Sequence, residues 1–290
     1  MSNVREGQAS CGKVIVKSIE AKGAEGPLQA RLYRLRPAKT PSPGLIVFFH
    51  QGGFIGGSLD ECDEFARALV ARSGMAVLAA AYTLACRQPF PAAVEDAYSV
   101  LQWAERCPEK LGWSGEFLLT AGIEAGGNLA AVAALIARDR GGPDLAGQIL
   151  IMPMLDPGLT SDSMRALKRN PDIAGVADAC AAGYRGYLPR VADRMHPYAS
   201  PLQSSRLRGL PSALILSAQE DPLCDEAEQY GARLAAAGTR ATVCRLPPLP
   251  LNDGMARCRC AREQSALEEI AAFIGALQAS GIQSNNHRKE

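Results

Sequence analysis

One carboxylate stands where a carboxylate needs a reason. Glu124 lies where an apolar strand, Phe117–Thr120, runs through Ala121-Gly122 toward a helical stretch, Gly127–Arg138. A helix N-terminus carries unpaired N–H groups and a partial positive charge, so an anion placed there is favoured. A buried carboxylate is costly unless it is paired or hydrogen-bonded. The other reactive side chains are dispersed. His50 follows the apolar run Leu45–Phe49, His196 precedes Pro197-Tyr198, and His287 sits in a polar tail. The nine cysteines are scattered, and the close pair Cys258 and Cys260 has one residue between its thiols. No second pair or nearby histidine completes a metal set, and no dinucleotide fingerprint is present. The chemistry this allows is cofactor-independent, with no metal and with a carboxylate as acid or base.

The elements around Glu124 alternate. Lys13–Ile19 and Leu28–Leu35 read as strands joined by a glycine-containing turn, and Leu45–Phe49 and Met75–Ala80 are short apolar runs. Such runs fit strands buried on both faces of a parallel sheet. Asp60–Ser73, Ala92–Cys107, Gly127–Arg138, Ala227–Ala237 and Ser265–Leu277 have helical spacing, and Gln148–Met152, Ala213–Ser217 and Ala241–Leu246 complete the strands. The order predicts an α/β chain of one domain, a mostly parallel sheet covered by helices on both faces. Residues 156–211 break the rhythm between two strands and are expected to form a cap over the carboxyl ends of the strands, where ligands bind in such sheets. The tail from Ser280 is expected to be disordered.

Composition narrows the partners. A formal net charge of +1 without a long block of one sign gives nucleic acid nothing to bind. No stretch reaches the roughly 20 apolar residues of a membrane span. The first residues carry no apolar core of a secretory signal, so the thiols read as reduced and the location as cytoplasmic.

Four blocks then resemble the hormone-sensitive-lipase family of bacterial carboxylesterases, with the α/β-hydrolase fold. The HGGG motif matches His50-Gln51-Gly52-Gly53, with Gln51 at the first glycine. Tyr82-Thr83-Leu84-Ala85 with Pro89-Phe90-Pro91-Ala92-Ala93-Val94-Glu95-Asp96-Ala97 matches the DYRLAPExPFPAAxEDA block. Gly122-Ile123-Glu124-Ala125-Gly126-Gly127-Asn128 matches GDSAGGN, and Asp221-Pro222-Leu223-Cys224-Asp225-Glu226 matches DPLxDE. The set spans roughly residues 28 to 275.

The resemblance implies an oxyanion hole from the amides of Gly52, Gly53 and Ala125, braced by His50 and Gln51, and a triad acid at Asp221. It also places Glu124 where the nucleophilic serine of the family stands. The family histidine falls on Leu251 by ungapped counting, or on Asp253 when Gly254-Met255 is matched to the family's Gly-Phe. The second alignment is preferred, and neither supplies an imidazole. His196 is not aimed at the turn by anything in the sequence. Compared with family members that carry a helical N-terminal cap, too few residues precede Lys13 for one, which implies a more open pocket.

Several outcomes are open for the altered site. Glu124 occupies the amide cluster and plugs it. Alternatively Glu124, Asp221 and Asp253 share a poorly solvated pocket, where at least one carboxyl shifts toward neutrality and works as acid or base. A covalent role would resemble that of α/β-hydrolases with an elbow aspartate, which need a histidine-activated water to finish. The leading expectation is a repurposed, non-hydrolytic enzyme acting on a small apolar carbonyl or ester-like molecule by proton transfer, elimination, isomerisation or cyclisation. The second is a non-catalytic ligand-binding or regulatory protein. The plant gibberellin receptor, which resembles the family and lacks the catalytic histidine, is the precedent. The third is residual ester hydrolysis. A homodimer is the one protein assembly left open.

Overall fold

The computed structural model describes residues 13–36, 41–168, 174–248 and 253–287. Leu251, one of the two positions aligned with the family histidine, lies outside them, as does the chain before Lys13.

The strands are β1 (Lys13–Lys22), β2 (Pro27–Arg36), β3 (Ser42–Phe49), β4 (Ala76–Ala80), β5 (Trp113–Ile123), β6 (Gly147–Ile151), β7 (Ser212–Ala218) and β8 (Ala241–Leu246). They form one sheet in the order β1-β2-β4-β3-β5-β6-β7-β8. β1 pairs with β2, and β2 with β4, antiparallel; every later pairing is parallel. The central strands are apolar on both faces because both faces are covered. Along β3, Leu45, Val47 and Phe49 belong to one core, and Ile46 and Phe48 to the other. The first core takes α2 (Ala92–Arg106), α4 (Ala125–Asp139) and α7 (Cys224–Ala236), and the second takes α1 (Asp63–Ser73), α8 (Ala256–Arg262) and α9 (Gln264–His287). A short α3 (Pro108–Leu111) precedes β5. The mostly parallel sheet with helices on both faces is what the order of elements predicts, and it is the α/β-hydrolase fold that the resemblance implies.

Three elements differ from the sequence reading. α9 runs to His287, ten residues past Leu277 (287 − 277), where the sequence reading places a disordered tail from Ser280. The interval after β6 holds α5 (Asp162–Lys168) and α6 (Ala174–Tyr187), and α6 is a helix of 14 residues in a stretch that shows little periodicity. Its composition explains this. Small residues such as Gly175, Ala181, Ala182, Gly183 and Gly186 dilute the apolar stripe. α8 is the third, a helix of 7 residues whose sequence, ARCRCAR, alternates charge with small residues.

The strand-to-helix turn at Glu124 needs close backbone approaches. A Cβ at Gly122 would lie 2.0 Å from the Gly126 carbonyl oxygen, and one at Gly126 would lie 2.1 Å from that of Phe49. Glycine at both positions lets β5 turn sharply into α4 beside the end of β3.

Candidate functional site

Glu124 follows β5 with φ 56 and ψ −114, a conformation that non-glycine residues rarely adopt. Its backbone is held on both sides of the turn. The Glu124 N–H donates to the Ile151 carbonyl at 3.0 Å, and the Met154 and Asn128 N–H groups donate to the Glu124 carbonyl at 3.0 and 3.1 Å. The strain therefore sits in a well-tied turn and aims the side chain toward the loop after β3.

That loop supplies the donors. The Gly52 N–H donates to Glu124 Oε2 at 2.7 Å and the Gly53 N–H donates to the same oxygen at 3.1 Å. Two positive φ values, 130 at Gly52 and 58 at Gly53, turn both amides the same way. Ala125 opens α4 and is fully buried, but among the described residues its amide makes no bond to the carboxylate. The sequence reading puts Gly52, Gly53 and Ala125 around one point, and the carboxylate bonds to the first two.

The other carboxylate oxygen meets a residue the sequence reading does not single out. Arg257, on α8, donates from Nη1 to Glu124 Oε1 at 3.2 Å. The same guanidinium grips Asp221 with two bonds, Nε to Oδ2 at 2.8 Å and Nη2 to Oδ1 at 3.0 Å. Asp221 lies between β7 and α7, is fully buried, and also accepts the Leu223 N–H at 2.9 Å on Oδ1. The side chains of Arg257 and Glu124 are 11% and 14% exposed, so the whole row is nearly dry. Burial works against the charge on Arg257, but Asp221 and Glu124 outweigh it and hold the guanidinium above its usual range. A planar fork fits two carboxylates at once, which an ammonium could not do as well. The crowding expected of neighbouring carboxylates is thus relieved by a cation placed between them.

Asp253 is not part of this row. It is 40% exposed, forms an ion pair with Arg259, and accepts the Met255 N–H at 2.7 Å. Those two partners hold its carboxyl below the usual aspartate range, the backbone bond being the larger influence. The grouping of Glu124, Asp221 and Asp253 in one pocket is therefore corrected to Glu124, Arg257 and Asp221. Asp253 caps the turn into α8 and is held toward the surface by Arg259.

The bracing residues do what their types allow. Gln51 donates from Nε2 to the Gly254 carbonyl at 2.9 Å, joining the amide loop to the turn before α8. His50 is buried, stacks on Tyr82 with ring centres 4.4 Å apart, and donates from Nδ1 to the Gln51 carbonyl at 2.7 Å. Tyr82 in turn donates its hydroxyl to the His50 carbonyl at 3.1 Å. His196 is exposed, accepts the Tyr198 N–H, and packs on Phe90, without a bond to Glu124 or Asp221.

Burial lowers the pKa of His50, so the folded chain keeps it neutral where an unfolded chain would protonate it near pH 6.5. The unfolded state then binds more protons, and stability contributed by neutral His50 is lost as pH falls below about 6.5. We expect the urea midpoint to drop between pH 7.5 and 5.5 and His50→Gln to flatten that drop. Equal slopes in the two proteins would show that another group controls it.

Helix α6 rests against the same loop. A Cβ at Gly183 of α6 would lie 2.5 Å from the Gly53 carbonyl oxygen, so glycine permits the helix to rest against the loop. Phe54 stacks on Tyr187 with centres 3.9 Å apart, and Phe90 meets Tyr187 edge-on. Cys180 is buried near the ion row. Burial pushes its thiol up to about 12, with Arg257, Glu124 and Asp221 close enough to act on it. No group of His, Cys, Asp and Glu suited to a metal ion occurs among the described residues. No helix among them is long and apolar enough to cross a membrane.

A strained turn after the fifth strand, an amide pair after the third and an aspartate after the seventh define an α/β-hydrolase of the carboxylesterase-like kind. The chain belongs to the alpha/beta hydrolase fold family, which matches residues 46–250. It is 36% identical to Esterase LipI of Mycobacterium tuberculosis over 222 residues, covering 74% of this chain and 68% of that protein. An arylesterase of Saccharolobus solfataricus is 34% identical over 213 residues, with 73% and 68% covered. Among solved structures, the thermostable carboxylesterase EstE1 from a metagenomic library superposes with a TM-score of 0.83 at 31% identity, covering 92% of this chain and 90% of its own. The hyperthermophilic esterase of Pyrobaculum calidifontis gives 0.80 at 34% identity, with 92% and 84% covered.

Proposed function

We propose that this chain is a non-hydrolytic member of the family, a pseudo-esterase that binds a small molecule instead of turning over an ester. The observation that carries the reading is the Glu124 carboxylate seated on the Gly52 and Gly53 amides, where an ester hydrolase must hold the developing oxyanion. A substrate carbonyl oxygen would have to displace a tethered anion from that position. Acyl transfer also needs a nucleophile with a base beside it. Glu124 has a guanidinium beside it, which can accept no proton at any ordinary pH.

The same contacts weigh between the two non-hydrolytic readings. An acid or base needs an oxygen within reach of the substrate. One oxygen of Glu124 is engaged by two amides and the other by Arg257, which favours binding over proton transfer. The remaining 14% exposure of Glu124 is what keeps an acid–base role as the second reading. The ligand class is a small apolar carbonyl or ester-like molecule. A cytoplasmic location and assembly as a homodimer belong to the same proposal.

The full chain should hydrolyse neither aryl acetates nor aryl butyrates above the buffer rate, and a fluorophosphonate probe should leave its mass unchanged. Stoichiometric labelling of any serine, or saturable ester turnover, would overturn the reading.

A further inference from the structure

Next to Arg257 on α8, the Cys258 thiol meets that of Cys62 at the start of α1. The Sγ atoms of Cys62 and Cys258 are 2.8 Å apart, in residues only 2% and 5% exposed and 196 positions apart in the chain. That separation equals a hydroxyl–oxygen hydrogen bond, about 2.7–2.8 Å, although sulfur is the larger atom and thiols are weak donors. Cys62 caps α1 and Cys258 lies in the first turn of α8, so the pair joins two separate elements. An Arg262–Glu64 ion pair already links the same two helices. Among the described residues neither thiol has another hydrogen-bond partner, and no group suited to a metal ion occurs.

We propose that Cys62 and Cys258 are a redox modification site, forming a reversible disulfide that staples α8, and with it Arg257, to α1. The oxidant class is a hydroperoxide, small enough to reach a buried pair. One sulfur attacks a peroxide oxygen, the O–O bond breaks, and the departing hydroxide takes the thiol proton as water, leaving a sulfenic acid. The second sulfur attacks that sulfur, the S–O bond breaks, and hydroxide leaves with the second thiol proton as another water. Two thiols and one hydrogen peroxide give one disulfide and two waters; the sulfurs lose two electrons and the peroxide gains them. A dithiol reductant reverses the bond by exchange. Contact with Cys62 and burial hold the Cys258 thiol well above its ordinary range, so the reaction is slow near neutral pH and faster in alkali.

This inference does not depend on what the site binds. The reduced full-length chain is treated with hydrogen peroxide, its remaining thiols are blocked, and the digest is mapped by mass. The expected product is a Cys62–Cys258 crosslinked peptide, with a Tm raised by about 5 °C or more because the bond closes a long loop. Dithiothreitol should return both to the starting values. Cys62→Ala should lose the crosslink and the shift together, while Cys86→Ala, at an exposed cysteine, should keep both. A map showing Cys258 free, or bridged only to another cysteine, overturns the proposal. So does a crosslink that leaves Tm unchanged. Should Cys62→Ala fail to fold, the map of the unaltered chain decides alone.

Discussion

Replacing Arg257 by methionine is expected to cost about 3–5 kcal/mol, the usual result of removing one partner from a buried ion pair. At roughly 2–4 °C per kcal/mol for a chain somewhat shorter than this one, Tm should fall by on the order of 10 °C. The reason lies in what remains. Asp221 is fully buried and, among the described residues, would keep a single donor to its carboxylate, the Leu223 N–H. Glu124 would keep its two amides and lose the cation beside it. Methionine preserves most of the apolar stem and volume, so packing loss is small and the difference isolates the charge. Arg259→Met is the control. That arginine pairs with Asp253 at a half-exposed site, where solvent screens the attraction, and its Tm should stay close to the parent. A double change, Arg257→Met with Asp221→Leu, removes both charges and should recover a large part of the loss. Differential scanning calorimetry of the four proteins checks this. If Arg257→Met melts within about 2 °C of the parent, a shift worth under roughly 1 kcal/mol, the ion row is incidental to the fold.

The fold was legible because its signals are redundant. Leu45–Phe49 and Met75–Ala80 are wholly apolar runs that suit a sheet covered on both faces, and β3 and β4 lie there. The amide pair was legible for a different reason. The resemblance implies it, since the HGGG motif falls on His50-Gln51-Gly52-Gly53 directly after β3. Glu124 was legible as the residue that the GDSAGGN match places between β5 and α4, although its donors come from the loop after β3 and from Arg257, not from the helix start.

Arg257 was not legible by the same means, since it stands on no motif. It occupies a seven-residue helix whose other arginines, Arg259 and Arg262, face outward to Asp253 and Glu64. Three arginines in so short a segment look alike until the fold buries one of them. A signal existed all the same. Two carboxylates expected near one dry point require a cation, and the segment after β8 holds the nearest arginines in the region aligned with the family histidine. Within it, Arg257 lies four residues before Ala261, which is fully buried, so the two share a helix face turned inward. Charge balance would have found Arg257 where alignment by residue type led to Asp253 instead. Asp253 follows the opposite logic. A short acidic residue two positions before Met255 is a good turn former, and it accepts that backbone N–H as such residues do.

Glu124→Ala should turn the plug into a receptor that an added carboxylate can fill. The substitution removes Cγ, Cδ and both oxygens, which is the heavy-atom skeleton of acetate. Left behind are the Gly52 and Gly53 amides and one arm of Arg257, all aimed at the vacated position. Their alignment is set by the loop backbone and by the Asp221 grip on the guanidinium, so it survives the change. The variant should be less stable than the parent by about 1–3 kcal/mol, the desolvation cost of donors left without an acceptor. Acetate should restore part of it. With a dissociation constant of about 10 mM, 100 mM acetate would contribute about 1.4 kcal/mol through binding to the folded state alone, a Tm gain of roughly 3–5 °C. Sodium chloride at equal ionic strength controls for screening, which acts on every surface pair alike. The parent protein should not respond to acetate beyond the chloride control, because Glu124 already occupies the position. If acetate and chloride act identically on the variant, the amides and Arg257 do not converge on one anion, and the plug reading falls with them. If the parent responds as strongly as the variant, acetate binds elsewhere, and the tethered carboxylate is not what closes the site.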